Sequence, residues 1–516
     1  MATIIVDTSL ANELTRDLVA SGTATVPIIA PFTGEVLYPL RVSSAQDVAD
    51  AASAARVAQL AWVAAGPKAR RHILLDAHDR LLADRDRLLD LLQTETGKTR
   101  GPAFEEFFQG ASATRYAALS AEPVTRTRGR RAGIPLVMRT RVSYRPKGLI
   151  GVITPWNYPL SLALMDVIPA LATGNAVVQK VDNQTVLTVL AARRAFIDAG
   201  VPAALWAVVA GHGDEVGNAV VDAADYVSFT GSTPVGTRVG QRALGRVVGA
   251  SLELGGKNPM IVLDDARIDK AAASSVNGCF SSMGQLCVSM ERIYVQRAVA
   301  DEFTDAFVSQ VKSLVQGPAL DYSTDVGSLS GAAQLARVTA HVDDAVEKGA
   351  TVLAGGKARP DLGPFFYEPT VLTGVTSDML CFAGETFGPV VEIAIVANED
   401  EAIEAANASE FGLNASVFSG STRRARRVAD RITAGSVNIN EGYRASFGSI
   451  DAPMGGMKHS GLGRRNGPEG LLRFVDSRTV AEATGVIALP GTGVATGKLV
   501  GTMELALKAL KAVRRR

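Results

Sequence analysis

Only five histidines and three cysteines occur in 516 residues, and no spacing among them resembles a zinc site. No metal centre is expected. The odd cysteine count, Cys279, Cys287 and Cys381, offers no disulfide framework and fits a reducing compartment. Charge of one sign is also missing: 53 basic against 52 acidic residues leave +1, so no global field points to nucleic acid or acidic partners. No apolar run is long enough to cross a bilayer. The opening MATIIVD lacks the basic start and long apolar core of a secretory signal. A cytoplasmic protein is expected. Hydrophobic residues at 47% and charged residues at 20% argue against extensive disorder, and the length requires two or three domains.

What is present has a clear order. Residues up to 97 read as helical, apart from a β-like opening near 26–40, with apolar helical spacing at 47–62 and 70–92. Helix continues over 102–118, with Gly97 and Gly101 as breaks. The segment 125–145 is strand-like and basic, carrying Arg126, Arg128, Arg130, Arg131, Arg139 and Arg141. No aromatic residues are interleaved with these charges, so a solvated hairpin is expected and nucleic-acid binding is not. From 149 the rhythm becomes β-α-β. Strands are predicted at 149–154, 176–180, 205–210 and 226–230, with helices at 159–173, 185–199 and 214–221 between them. The pattern resumes at 258–263 and 269–282, and again through 390–435. This alternation calls for parallel sheets covered by helices on both faces, an α/β fold in two domains.

Ligands of such sheets bind at the carboxyl ends of the strands. The segment Phe229-Thr230-Gly231-Ser232-Thr233-Pro234-Val235-Gly236 follows a strand and opens a helix, with Ser232 suited to capping and Pro234 to the first turn. It departs from the GxGxxG spacing, so either a dinucleotide turn or an ordinary glycine turn satisfies it. Lys180, at another strand end, fits a cofactor contact or a solvated terminus. Glu253 precedes the double-glycine turn Gly255-Gly256. It is either a buried carboxylate poised as a general base or the partner of Lys257. The rigid turn Pro155-Trp156-Asn157-Tyr158-Pro159 could present the Asn157 amide as a donor. Cys287, after Gly284, is a small core hydrophobe or a nucleophile.

These segments, PWNYP at 155–159, FTGS at 229–232, ELGGK at 253–257 and GQLC at 284–287, occur in the order found in the aldehyde dehydrogenase superfamily, which the chain resembles. ETFGPV at 385–390, LNASVF at 413–418 and PMGGMKHSGLGR at 453–464 extend the resemblance over about 29–479. It implies a Rossmann-type cofactor domain (1–124 and 146–254), a second α/β catalytic domain (255–477), a small β oligomerisation arm (125–145 and 478–495) and a basic amphipathic tail (496–516). It implies that Cys287 attacks the aldehyde, that Asn157 and the Cys287 N–H hold the oxyanion, and that Glu253 activates water against the thioester. Cofactor contacts are implied for Trp156, Lys180, Asn183, Gly231, Ser232, Gly236, Leu254, Glu385 and Phe387. A thioester passed to CoA, or a fold without catalysis, are the competing readings; Glu253 favours hydrolysis.

NAD-selective members commonly carry Glu three residues after the lysine. Asn183 stands there instead, so NADP is expected to be accepted, alone or alongside NAD. The overall similarity, including NEGY at 440–443, resembles the actinobacterial succinate-semialdehyde dehydrogenase branch (NADP). Two tunnel arginines typical of such enzymes are replaced by Met165 and Ser281. Arg444 is the candidate substitute. Without it, Tyr158, Leu162, Met165 and Phe447 imply a mostly apolar tunnel for a medium-chain or aromatic aldehyde. The family implies a homodimer or homotetramer. The tail 502–516 sets Met503, Leu505, Leu507, Leu510 and Val513 among Lys508, Lys511 and Arg514–Arg516. A surface or intersubunit helix is expected, with peripheral membrane docking as the second reading.

Overall fold

The computed structural model describes residue 6 and residues 8–132, 137–485 and 494–512. Most of the MATIIVD opening, and Val513 with Arg514–Arg516 of the tail, lie outside the described residues. Two compact units result, Met1–Val124 with Pro146–Val475, and Thr125–Arg145 with Asp476–Arg516.

The larger unit is built on two large sheets, with two small two-stranded ones beside them. In the first, Leu149–Ile153 lies between Ala176–Lys180 and Tyr226–Thr230, with Trp206–Val209 and Gly249–Glu253 beyond them, all in parallel pairs. The short strand Gly461–Leu462 closes the edge antiparallel to Gly249–Glu253. LIGVI at 149–153 is buried at every position, which explains why it reads as an apolar run rather than an alternation. Helix Pro159–Ala172 is likewise buried throughout, sandwiched against the sheet. Strand order reverses at Leu149–Ile153. The chain leaves this strand and Tyr226–Thr230 side by side, opening a crevice at their carboxyl ends.

The second sheet has seven strands, in the order Thr351–Ala354, Thr370–Thr373, Val390–Val396, Met290–Gln296, Asn258–Val262, Asn414–Phe418 and Ser436–Ile439. All its pairs are parallel except the first. Separate buried clusters include Ile293 and Phe307 in one and Val417 and Val428 in another.

Several local expectations are corrected. Gly101 does not break the chain but lies inside helix Arg100–Thr125. The stretch 70–92 is two helices, Gly66–Ala83 and Arg85–Thr96, parted at Asp84. Gly97 does stop a helix, in the left-handed conformation at φ 74°.

The smaller unit holds a three-stranded sheet of Val475–Ala483, Met138–Pro146 and Arg128–Arg130, and the helix Val494–Ala512. Among the described residues no helix is long and apolar enough to cross a membrane.

Candidate active site

The crevice gathers Asn157, Glu253 and Cys287 around one cavity, together with Trp156, Leu162, Gly231, Ser232, Leu254, Glu385 and Phe387. Asn157 comes from the turn between Leu149–Ile153 and helix Pro159–Ala172. Its Nδ2 donates to the Gln285 carbonyl at 2.9 Å, which commits one amide N–H and leaves the other for a ligand. Helix Pro159–Ala172 lacks a cap from its own N-cap residue. Glu106 Oε1 supplies it from another helix, accepting from Leu160 N at 2.7 Å and Ser161 N at 3.2 Å.

Cys287 follows a short loop that the sequence reads as the end of a helix. Helix Ile268–Phe280 stops, and Ser282, Met283 and Gly284 all take positive φ, 49°, 60° and 66°. Gly284 is required here, because a Cβ would collide with the Gly388 carbonyl. The far side of the loop is held by Asn258 Nδ2, which donates to the Cys287 carbonyl at 2.8 Å and the Ser289 carbonyl at 2.6 Å. Burial pushes the Cys287 thiol up to about 12, with Glu385 and Glu253 adding to the effect. The resting group is a thiol, and attack requires a base.

Glu253 ends its strand and is buried. Burial raises its carboxyl to about 7, against the opposing pull of Arg465 and Arg473. Its Oε1 is buried without a hydrogen-bond partner among the described residues, as expected of an acceptor awaiting a water or a thiol proton. Behind it lies a fixed charge cluster. Arg465 grips Asp166 at 2.9 and 2.7 Å, Arg473 reaches the same carboxylate at 2.6 Å, and Arg465 donates to Thr230 Oγ1 at 2.7 Å. The alternative pairing of Glu253 with Lys257 is not found. Lys257 bonds Glu291 at 2.6 Å, both being buried, and Glu291 accepts from Thr386 N and Phe387 N. That pair anchors the loop carrying Glu385 and Phe387.

A second cavity, lined by Lys180, Asp182, His212 and Arg238, shares Trp156, Gly231 and Ser232 with the first. Helix Thr233–Gly245 begins there with Ser232 at its N-cap and no acidic residue in its first turn; the Ser232 side chain makes no cap bond. Unspent N–H groups and a free hydroxyl suit a pyrophosphate. Gly236 does not line either cavity but lets the helix close on Leu254, which a Cβ would strike. Trp156 meets Phe387 edge-on at 5.6 Å, and Glu385 accepts from Gly256 N at 2.8 Å. These residues fit a dinucleotide. Asn183 is the exception: its Oδ1 accepts from Gly211 N at 2.8 Å, and it lies outside both linings. Asp182 faces the cavity instead.

Against Cys287 packs a buried cluster containing Tyr158, Leu162, Met165, Tyr443 and Phe447. Tyr158 hydroxyl lies 3.0 Å from Ser282 Oγ, and Tyr443 hydroxyl 2.9 Å from Ser281 Oγ. Arg444 is not brought to Cys287. It pairs with Glu105, donates to Asn277 Oδ1 at 3.2 Å, and shares a separate cavity with Ser281.

Sequence reasoning missed Gln334 and Arg337, which line the Cys287 cavity from helix Ala332–Glu347. Their one signal is the three-residue spacing that sets two polar side chains on one helix face.

The Aldehyde dehydrogenase family model matches residues 18–480. The putative NADP(+) succinate-semialdehyde dehydrogenase 2 of Mycobacterium tuberculosis is 48% identical over 468 residues, covering 91% of this chain and 90% of that one. The putative NADP(+) succinate-semialdehyde dehydrogenase of Mycolicibacterium smegmatis is 50% identical over 456 residues, covering 88% of each. The crystal structure of Staphylococcus aureus betaine aldehyde dehydrogenase with NAD+ superposes with TM-score 0.86 at 32% identity, covering 92% of this chain and 95% of that one. Fold and site together define an oxidoreductase acting on aldehydes. The chain belongs to the aldehyde dehydrogenase family.

Proposed function

We propose that this enzyme oxidises its aldehyde to a carboxylic acid through a thioester on Cys287, with NADP or NAD as hydride acceptor. The convergence of Asn157, Glu253 and Cys287 on one cavity carries this reading. Glu253 takes the thiol proton as the sulfur bonds to the aldehyde carbon. The free N–H of Asn157 and the Cys287 backbone N–H hold the oxyanion. The nicotinamide, when bound, supplies the hydride acceptor. Trp156, Gly231, Ser232 and Leu254 line its crevice, Lys180 and Asp182 bound the adenosine end, and Glu385, Phe387, Gln334 and Arg337 bound the other. Glu253 gives up that first proton to solvent, and its carboxylate then takes a proton from water, whose oxygen attacks the thioester carbon; the acid departs and the Cys287 thiolate recovers a proton. A buried base beside the sulfur favours water over CoA as the acceptor.

Similarity to relatives named as succinate-semialdehyde dehydrogenases supports that substrate. A second reading, a medium-chain or aromatic aldehyde, is favoured by the apolar cluster and by the commitment of Arg444 to Glu105. Turnover of succinate semialdehyde, hexanal and benzaldehyde with each cofactor tests both. NADP is expected to serve; an efficiency about a hundredfold below NAD, roughly 2.7 kcal/mol of transition-state binding, overturns that.

The same reading assigns 1–124 with 146–254 to the cofactor, 255–477 to catalysis and 125–145 with 478–495 to assembly. It makes the enzyme a cytoplasmic homodimer or homotetramer, with 496–516 as a basic tail.

A further inference from the structure

Lys98 and Glu106 form a buried ion pair that no step above uses, their side chains only 2% and 0% exposed. Both hold the turn that carries Asn157. Lys98 Nζ donates to the Asn157 carbonyl at 2.7 Å and stands 3.9 Å from the Tyr158 ring centroid. Glu106 uses Oε2 for Lys98 and Oε1 for the N–H groups of Leu160 and Ser161. The contacts to Asn157, Tyr158, Leu160 and Ser161 thus come from one pair of side chains. Lys98 is itself fixed, since Gly97 just before it ends a helix in the left-handed conformation and its carbonyl accepts from Ser328 N at 2.9 Å.

Burying two opposite charges is no efficient route to stability, because their desolvation offsets their attraction. An apolar pair of similar volume would serve the core as well. It would not hold the Asn157 carbonyl, and so would not set where the amide of the same residue points. We propose that Lys98 and Glu106 are positioning residues for the Asn157 amide, and that they govern the rates of Cys287 attack and thioester hydrolysis, which both develop an oxyanion, rather than the binding of cofactor. This rests on Asn157 acting as the oxyanion donor.

The test is a double-mutant cycle between Asn157→Ala and the neutral pair Lys98→Met/Glu106→Gln, whose second change keeps an acceptor oxygen for Leu160 and Ser161. With native circular dichroism, the neutral pair is expected to lower kcat about tenfold with cofactor KM within about twofold, and to lower it less than about twofold further in the Asn157→Ala background. A kcat close to the parent, or equal losses in both backgrounds, overturns the proposal while leaving the role of Asn157 intact. Full parental activity in Asn157→Ala overturns the role of Asn157, and the proposal with it. If the neutral pair does not fold, Lys98→Met alone, with Glu106 free to take up a proton and still cap the helix, carries the same expectations.

Discussion

Glu253 and Cys287 are each driven toward their neutral forms by the same burial, and this coupling makes pH a direct probe of the site. The charges acting on Glu253 are Arg464, Arg465 and Arg473, which favour the carboxylate, and Asp166, which opposes it. Only the carboxylate accepts a proton. Turnover limited by thioester hydrolysis should therefore fall as pH drops through about 7 and level off above it. In Glu253→Gln the step should vanish and kcat should fall by about 10²- to 10⁴-fold, read from steady-state rates across pH. A profile that keeps its inflection near pH 7 in the variant would assign the titration to another group.

A second residue-scale prediction concerns Asp182. It faces the second cavity, proposed above for the adenosine end, beside Lys180, whereas Asn183 is committed to Gly211. The Asp182 carboxylate, like that of Asp214 on the same cavity, weakens any attraction of Lys180 for a 2′-phosphate. Asp182→Asn should raise kcat/KM for NADP relative to NAD by about tenfold, close to 1.4 kcal/mol of differential binding. An unchanged ratio places the 2′-phosphate determinant elsewhere.

Elements explain both what was legible and what was not. The strands at 149–153, 176–180 and 226–230 stand out because strands covered on both faces are buried at nearly every position and so read as largely apolar runs, and the helices after the first two stop at Gly174 and Gly200. The loop at 281–284 was hidden, because Ser282 and Met283 give no local sign of left-handed backbone; only Gly284, whose Cβ would strike the Gly388 carbonyl, is of a residue type that favours it. The same holds for side-chain partners far apart in the chain. Lys98 meets Asn157 across 59 residues and Lys257 meets Glu291 across 34, and no spacing rule reaches so far. Cys287, Glu253 and Asn157 were legible as a set only through their family resemblance; alone, each had an ordinary structural explanation. Gly236 tests how closely the cofactor helix must seat. A Cβ there strikes Leu254 and comes to 3.1 Å from Phe229 Cε1. Gly236→Ala should lose about 1–3 kcal/mol in urea unfolding and raise cofactor KM more than it lowers kcat. Full stability with unchanged KM would show that the helix has room to shift.

At the scale of the whole molecule, the segment beyond Thr484 is the part for which catalysis has no use. Its described portion is the helix Val494–Ala512, with Val500, Leu505 and Leu507 exposed by 56%, 68% and 59%. Lys508 pairs with Glu504 one turn earlier, so part of its positive charge is neutralised on the helix itself. Anchoring to an anionic bilayer draws about 1 kcal/mol from each unpaired basic residue near the surface. A helix that spends a lysine internally and, among its described residues, exposes Val500, Leu505 and Leu507 as its large aliphatic side chains is better suited to a protein surface or a subunit boundary. The full-length enzyme and a chain ending at Thr484 should therefore float equally with phosphatidylserine vesicles at low salt. Flotation of the full-length chain alone would reverse this and make the tail a membrane-docking segment.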